Sequence, residues 1–536
     1  MQGSWATLKS MAMVRSQVQS MAVSVSGHVP FGRAGSTGFP YPIPIAQARR
    51  TQTRGVGAGP IAAVQERHRI KMARDLIQAV QAAGVVGAGG AGFPTHAKLT
   101  ARVDTVIANG VECDPLLQCD QRLMERHAGE ILRGVQAVMA ATGATQGIVA
   151  LKRTYKAAAA ALQRALEASG EPGRIKLLLL ESRYPAGDEF VLVYEATRRL
   201  VPETGLPLDV GCIVQNVQTL FNIDRAVNGA AVTHRLLTVV GAVGRPVTLW
   251  APLGTSIGQV ISWAGGIQPP RWSGRTAADY SVVVGGPMMG RLAHSLDEPI
   301  LKTTSGLLVL PQDHAVIRAL SRSQASWVRR GMSTCDQCRD CTALCPRYLL
   351  GHTLQPHHVM RAVNYGLDRP ADVLTAAVLC CECRLCEAYA CPLDLSPMAY
   401  YVSIKAELKA QGWVNVDHKR SDLEPHPMRE YRLVPTRRLI ARLGLAEWER
   451  DVCPLDESDY QPERVALPLK QHIGAPAQPV VTEGDMVRRG DRIARIPEGQ
   501  LSACIHASIE GRIAHIDQDL IEIVAQPVEA KPGGPR

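Results

Sequence analysis

The chain has 536 residues, 46% of them hydrophobic, with 59 Lys and Arg against 49 Asp and Glu for a formal charge of +10. That length suggests three or four domains, and no apolar run approaches the ~18 residues of a membrane span. The basic excess does not point to nucleic acid. Six Lys/Arg and no acid in residues 1–65 carry +6 of it and leave +4 elsewhere, with no dense basic block and no aromatic–basic interleaving.

In chain order, residues 1–70 are rich in Ser, Gly, Ala, Arg and Pro and lack an apolar period. Three explanations stand side by side: a transit peptide, a disordered extension, or a start called upstream of Met72. A helix is expected over Asp75–Ala83. From there to about Gly290, strand-like runs (Thr105–Ala108, Ile148–Leu151, Ile175–Leu180, Val282–Val284) alternate with helical ones (Arg122–Ala141, Tyr155–Ala168). Such alternation predicts a layered α/β domain with a largely parallel sheet. Within it, Leu236–Ala264 reads as strand, turn, strand and helix, a small α+β insertion. Residues 315–411 are helical in pattern, about 420–465 form a polar connector with one basic helix at Thr436–Leu443, and 466–525 return to short strands.

Eight of the fourteen cysteines fall in two runs. Cys335, Cys338, Cys341 and Cys345 are spaced C-x2-C-x2-C-x3-C-P; Cys380, Cys383, Cys386 and Cys391 are spaced C-x2-C-x2-C-x4-C-P. Three thiolates at x2 spacing turn around one corner of a [4Fe–4S] cubane, and in two-cluster arrangements the cysteine before proline serves the other cluster. The expected sets are therefore Cys335, Cys338, Cys341 and Cys391, and Cys380, Cys383, Cys386 and Cys345. A zinc pair uses C-x2-4-C units in twos, and His352, His357 and His358 are not needed to complete either set. A disulfide framework belongs to short secreted chains. Cys381, inside the second run, is expected to be a non-ligand.

Gly87-Ala88-Gly89-Gly90-Ala91-Gly92 satisfies G-x-G-x-x-G, yet a helix precedes it and Phe93-Pro94 follows, unlike the strand–loop–helix of a dinucleotide fingerprint. Glycine amides still approach an anionic phosphate closely, and Lys98 adds a cation nearby.

GAGGAGFPTHAK (87–98) followed by NGVECDP (109–115) resembles the flavin segment of the NADH-oxidising subunit of respiratory complex I. It resembles still more the Rnf complex C subunit and the cobalamin reductase family of propanediol-utilisation microcompartments. YPAGDE (184–189), QNVQT (215–219), TVVGAVGRP (238–246), PLGTSI (252–257), GGPMMG (285–290) and KTTSG (302–306) extend the resemblance from Met72 to Val524. It implies FMN on Gly87, Gly89, Gly90 and Gly92 with Lys98 near the phosphate. Asn109, Glu112 and Asp114 would lie along the flavin and nicotinamide side, with Gly187, Asp188, Glu189, Asn216 and Thr219 completing the site. Asp188 and Cys113 stand where complex I has glutamate and serine. For Asn109, Glu112 and Asp114 a capping role after a strand is the residue-level alternative.

The same resemblance assigns 236–264 to a soluble-ligand-binding β-grasp (SLBB) module and 466–525 to a barrel-sandwich hybrid of the lipoyl-carrier type. No lysine lies between Lys470 and Lys531, so a swinging arm is excluded. The expected fold is thus α/β, with a leader (1–70), an FMN/NADH domain (72–232), the SLBB module and return segment (233–312), a helical dicluster domain (315–411), a connector (412–465) and the sandwich (466–525). The Rnf protein carries its sandwich before the glycine loop, so the order here favours the cobalamin reductases. The implied relay runs from NADH through FMN and two [4Fe–4S] clusters to cobalamin, inside a bacterial microcompartment. An adenosyltransferase, a diol dehydratase and shell proteins are the implied partners. Alternatives are an Rnf-type subunit and a non-catalytic electron-transfer module. No catalytic side chain is expected, because the cofactors carry the chemistry.

Overall fold

The computed structural model describes residues 71–526 except 72, 170–172, 366–370 and 451. The leader and Met72 lie outside the described residues. By chain contacts the protein divides into a larger unit (70–201, 205–322, 433–536) and a smaller one built on 202–204 and 323–432.

In the larger unit a helix over 73–82 leads into the glycine loop. Strands follow as β1 (Thr105–Gly110), β2 (Gln146–Lys152), β3 (Ile175–Leu180), the two-residue β4 (Arg183–Tyr184) and β5 (Cys212–Asn216). Four of them form a sheet in the order β3-β2-β1-β5, all parallel. β1 and β2 are buried almost throughout, as expected for strands covered on both faces. Helices Ala128–Thr142 and Val217–Val227 pack closely, since a Cβ on Gly134 would stand 2.2 Å from the Leu220 carbonyl oxygen. The single helix expected over Arg122–Ala141 is broken at His127, where φ −122° and ψ 37° leave the helical region. The strand order reverses at β1, so ligands belong at the carboxyl ends of β1 and β5; Asn109 and Asn216 stand there.

A second, mixed sheet contains β6 (His234–Gly241), β7 (Val247–Pro252), β8 (Tyr280–Val284), β9 (Arg291–Leu292) and β10 (Gly306–Pro311). Val282–Val284 therefore belongs here and not to the parallel sheet: its antiparallel pairing with β10 is a tertiary choice that its apolar composition does not encode. The connector is more ordered than its polarity suggested. β11 (Val434–Pro435) pairs with β4, helix Thr436–Arg442 follows, and β12 (Cys453–Asp456) adds to the edge of β7.

β13 (Arg464–Pro468), β14 (Gln478–Pro479), β15 (Met486–Val487), β16 (Arg492–Arg495), β17 (Ile505–His506), β18 (Gly511–Ile516) and β19 (Leu520–Ala525) form two small sheets, β13-β19-β18-β15 and β14-β16-β17. Their apolar core is continuous with that of the parallel sheet. Buried Lys302 donates to Gly84 O at 2.7 Å and Cys504 O at 2.8 Å, joining the two.

The smaller unit is helical. Helices Gln324–Thr334, Pro356–Tyr365 and Pro397–Ala410 surround a core containing Val328, Met360, Tyr400 and Tyr401. Glu203 accepts from the Thr353 amide (2.6 Å) and hydroxyl (2.8 Å).

Candidate flavin and iron–sulfur sites

The glycine loop is held from behind. Thr219, fully buried, accepts the Ala88 amide at 2.9 Å. Arg235, also buried, donates to Ala88 O (2.9 Å) and Thr304 O (2.7 Å). Gly92 adopts φ +74°, which favours glycine, and a Cβ there would meet Thr303 at 2.8 Å. Gly89 lies against the Asn216 side chain, while a Cβ on Gly90 would meet nothing within 4 Å. Gly87 closes the loop through its amide to Phe93 O at 2.9 Å. An exposed turn at Gly89–Ala91, open above Gly90 and anchored below, fits a flavin phosphate.

The remaining flavin-side candidates converge on the carboxyl ends of β1 and β5. Asn109 donates to Gly187 O at 2.9 Å and accepts the Val111 amide, a turn contact and not a helix cap. Asn216 caps helix Val217–Val227 through the Gln218 amide and donates to Asp120 at 2.9 Å. Gly187 needs its bare Cα, since a Cβ would stand 2.3 Å from Val111 O. Lys98 pairs with Glu189 at 3.3 Å. Asp188 caps helix Glu189–Thr197 through the amides of Phe190 and Val191. Asp114 accepts from the amides of Met288 (3.0 Å) and Met289 (3.2 Å), so the GGPMMG segment is a clamp on this carboxylate.

Sequence reasoning missed Asp120, Lys152, Tyr155 and Arg235. Burial, then the charges of Asp120 and Asp114, push the Glu112 carboxyl well above its usual range. Burial likewise raises Asp120 to about 6 against the Asn216 hydrogen bond, and lifts the Cys113 thiol to about 12. Burial lowers Lys152, opposed by Cys113, Glu112, Asp114 and Asp120. A lysine closing an apolar strand, as Lys152 closes β2, was the one available signal.

In the smaller unit the two cysteine runs fold alike. Gln337 (φ 61°) and Arg339 (φ 71°) flank Cys338; Glu382 (φ 58°) and Arg384 (φ 59°) flank Cys383. Two left-handed residues around the middle cysteine bend each run about one centre, at a cost only a well-determined site tolerates. Cys391 lines one pocket with Cys335, Cys338 and Cys341. Cys345 is an electrostatic neighbour of Cys380, Cys383 and Cys386. The structure thus brings the eight thiols together in the crossed sets. All fourteen cysteines are free thiols. Among the described residues no three His, Cys, Asp or Glu converge as on a single ion, where zinc needs sulfurs at about 2.3 Å from the metal. Three thiols at x2 spacing joined by one proline-flanked thiol are the donor set of a [4Fe–4S] cubane. Burial pushes Cys341 and Cys345 up to about 12, so without metal these sulfurs are protonated. Cys381 lies beside Cys345, Cys380 and Cys383.

A fold with these two sites defines a flavin- and iron–sulfur-dependent oxidoreductase. Residues 80–225 match the Nuo51 FMN-binding domain, 236–292 the SLBB domain, 334–396 the 4Fe-4S dicluster domain and 454–530 the RnfC barrel sandwich hybrid domain. The chain is 46% identical to the cobalamin reductase PduS of Citrobacter freundii over 455 residues, 84% of this chain and 97% of that one. It is 45% identical to the Salmonella typhimurium protein of the same name over 454 residues, with the same coverage. A component of the Na(+)-translocating ferredoxin:NAD(+) oxidoreductase complex of Acetobacterium woodii is 34% identical over 273 residues, 50% of this chain and 56% of that component. The chain belongs to the PduS cobalamin reductase family.

Proposed function

We propose that this protein passes electrons from NADH through FMN and two [4Fe–4S] clusters to cobalamin, in the setting of a propanediol-type microcompartment. The observation that carries the reading is the presence in one chain of an anchored glycine loop and two four-thiol sets, in a family whose named members reduce cobalamin. Bound FMN supplies the exchange between two-electron hydride chemistry and one-electron transfer to clusters. The chain's own contribution is positioning. Gly89, Gly90 and Gly92 present amides to the phosphate on a loop that Gly87 closes and that Thr219 and Arg235 hold, and Lys98 with Glu189 borders it. Asn109, Glu112, Asp114, Gly187, Asp188 and Asn216 shape the floor beneath the ring. Cys335, Cys338, Cys341 and Cys391 hold one cluster; Cys380, Cys383, Cys386 and Cys345 hold the other. Residues 72–232, 233–312, 315–411 and 466–525 act as flavin, SLBB, dicluster and sandwich domains. Cobalamin-processing enzymes and shell proteins are the partners this setting supplies. Among the described residues no helix is long and apolar enough to cross a membrane.

The test is anaerobic purification, flavin and iron analysis, and NADH titration with and without hydroxocobalamin. The reading expects FMN, about eight irons per chain for two [4Fe–4S] clusters and cob(II)alamin formation. Bleaching of both cofactors without corrin turnover refutes the acceptor, and absence of flavin refutes the relay.

A further inference from the structure

The carboxyl end of β2 opens into a cavity of about 160 Å³ within the larger unit, one wall of which comes from the connector. The pairing of Val434 with Tyr184, and the Thr436 amide's bond to Ser182 O at 3.0 Å, place that wall. Among the lining side chains at least nine-tenths buried are Lys152 (6% exposed), Thr436 (8%) and Trp448 (3%). The Thr436 hydroxyl and the Trp448 indole nitrogen have no hydrogen-bond partner. Among the described residues the Lys152 ammonium makes no hydrogen bond or ion pair, and it stands 5.4 Å from the Tyr155 ring centroid.

An ammonium and an indole N–H are donors only, and a hydroxyl donates as readily as it accepts. Buried donors left unpaired destabilise a fold, so two of them beside a buried lysine around one cavity are unusual unless something supplies acceptors. The Asp114 carboxylate lines the same cavity and accepts the Met288 and Met289 amides, and among the described residues no hydrogen bond joins it to Lys152, Thr436 or Trp448. Exposed Glu449 and Arg450 also line the cavity with opposite charges. At about 160 Å³ the space suits one group of a ligand and not a whole drug-sized molecule. We propose that Lys152, Thr436 and Trp448 form a binding site for the phosphate ester of a nucleotide-bearing substrate or cofactor. The connector then contributes binding residues as well as linking domains. The proposal rests on the reductase reading only for which phosphate is bound, since the dinucleotide and the corrinoid nucleotide loop each carry one and the flavin phosphate is seated on the glycine loop.

The test measures binding to the anaerobic holoprotein by calorimetry, in wild type and in Lys152→Met, Thr436→Val and Trp448→Phe. The probes are pyrophosphate, ADP-ribose and hydroxocobalamin, with FMN reconstitution as the control for the glycine loop. The expected result is at least a tenfold rise in Kd for pyrophosphate and for either ADP-ribose or hydroxocobalamin in Lys152→Met, with FMN unchanged. A several-fold rise for the same pair is expected in the two milder variants, which keep shape and remove one donor each. The probe that weakens identifies the source. Unchanged Kd values for pyrophosphate, ADP-ribose and hydroxocobalamin in the folded variants, with circular dichroism matching wild type, overturn the proposal. Wild type that binds pyrophosphate through Lys152 but never oxidises NADH sinks the reductase reading and leaves this site standing.

Discussion

Thr219→Val separates a loop that seats flavin from a loop that merely turns. Valine keeps the volume and branching of threonine, so the fully buried site loses one acceptor and little packing. The Ala88 amide, now 2.9 Å from the Thr219 hydroxyl, is left unpaired in a buried position. Such an orphaned donor costs about 1–3 kcal/mol. If that cost falls on the loop geometry needed for binding, the FMN Kd rises roughly 5- to 150-fold. Thr219→Ser keeps the acceptor and should stay near wild type. The assay is apoprotein reconstitution followed by quenching of flavin fluorescence, with thermal unfolding in parallel. A melting temperature lowered by a few degrees with FMN affinity unchanged refutes the assignment of this loop.

Other consequences follow from the same geometry. Cys391→Ala should remove the same cluster signal in electron paramagnetic resonance as Cys335→Ala, and Cys345→Ala the same as Cys383→Ala, whereas Cys381→Ala should retain both clusters; uncrossed losses refute the crossed sets. Gln337 donates to the Cys335 sulfur at 3.1 Å, so Gln337→Leu should make one cluster harder to reduce in a redox titration. Iron chelation should unfold residues 323–432 first, seen as loss of protease resistance there, because cluster binding contributes folding free energy. His506 is buried and its imidazole is pushed down to about 3 by burial and then by Lys302. Between that value and the unfolded 6.5 the unfolded chain binds more protons, so stability falls as pH drops through 6.5. The His506 share of the loss reaches about 2 kcal/mol by pH 5, read as the part of the urea midpoint shift that His506→Asn removes, with half-buried His234, lowered to about 4, contributing in the same direction.

Local pattern and spacing were enough for much of this protein. The cysteine runs are legible because cubane ligation needs fixed short separations along the chain, and their crossing follows from the proline-flanked fourth cysteine. β1 and β2 are legible because burial on both faces demands continuous apolar strands, and the edge strand β3 through its run of leucines. What the sequence could not show were the long-range partners. Arg235 and Thr219 hold Ala88 from 147 and 131 residues away. Asp114 is held by amides more than 170 residues later, partners that its local sequence does not announce. The connector became a wall of the β2 cavity because β11 pairs with β4, a two-residue contact with no periodicity to reveal it. Residue types and spacing set which atoms can bind phosphate and iron; only the packed chain decides which amides, carboxylates and cations remain free to do so, because each buried polar group must first be satisfied by whatever the fold brings beside it.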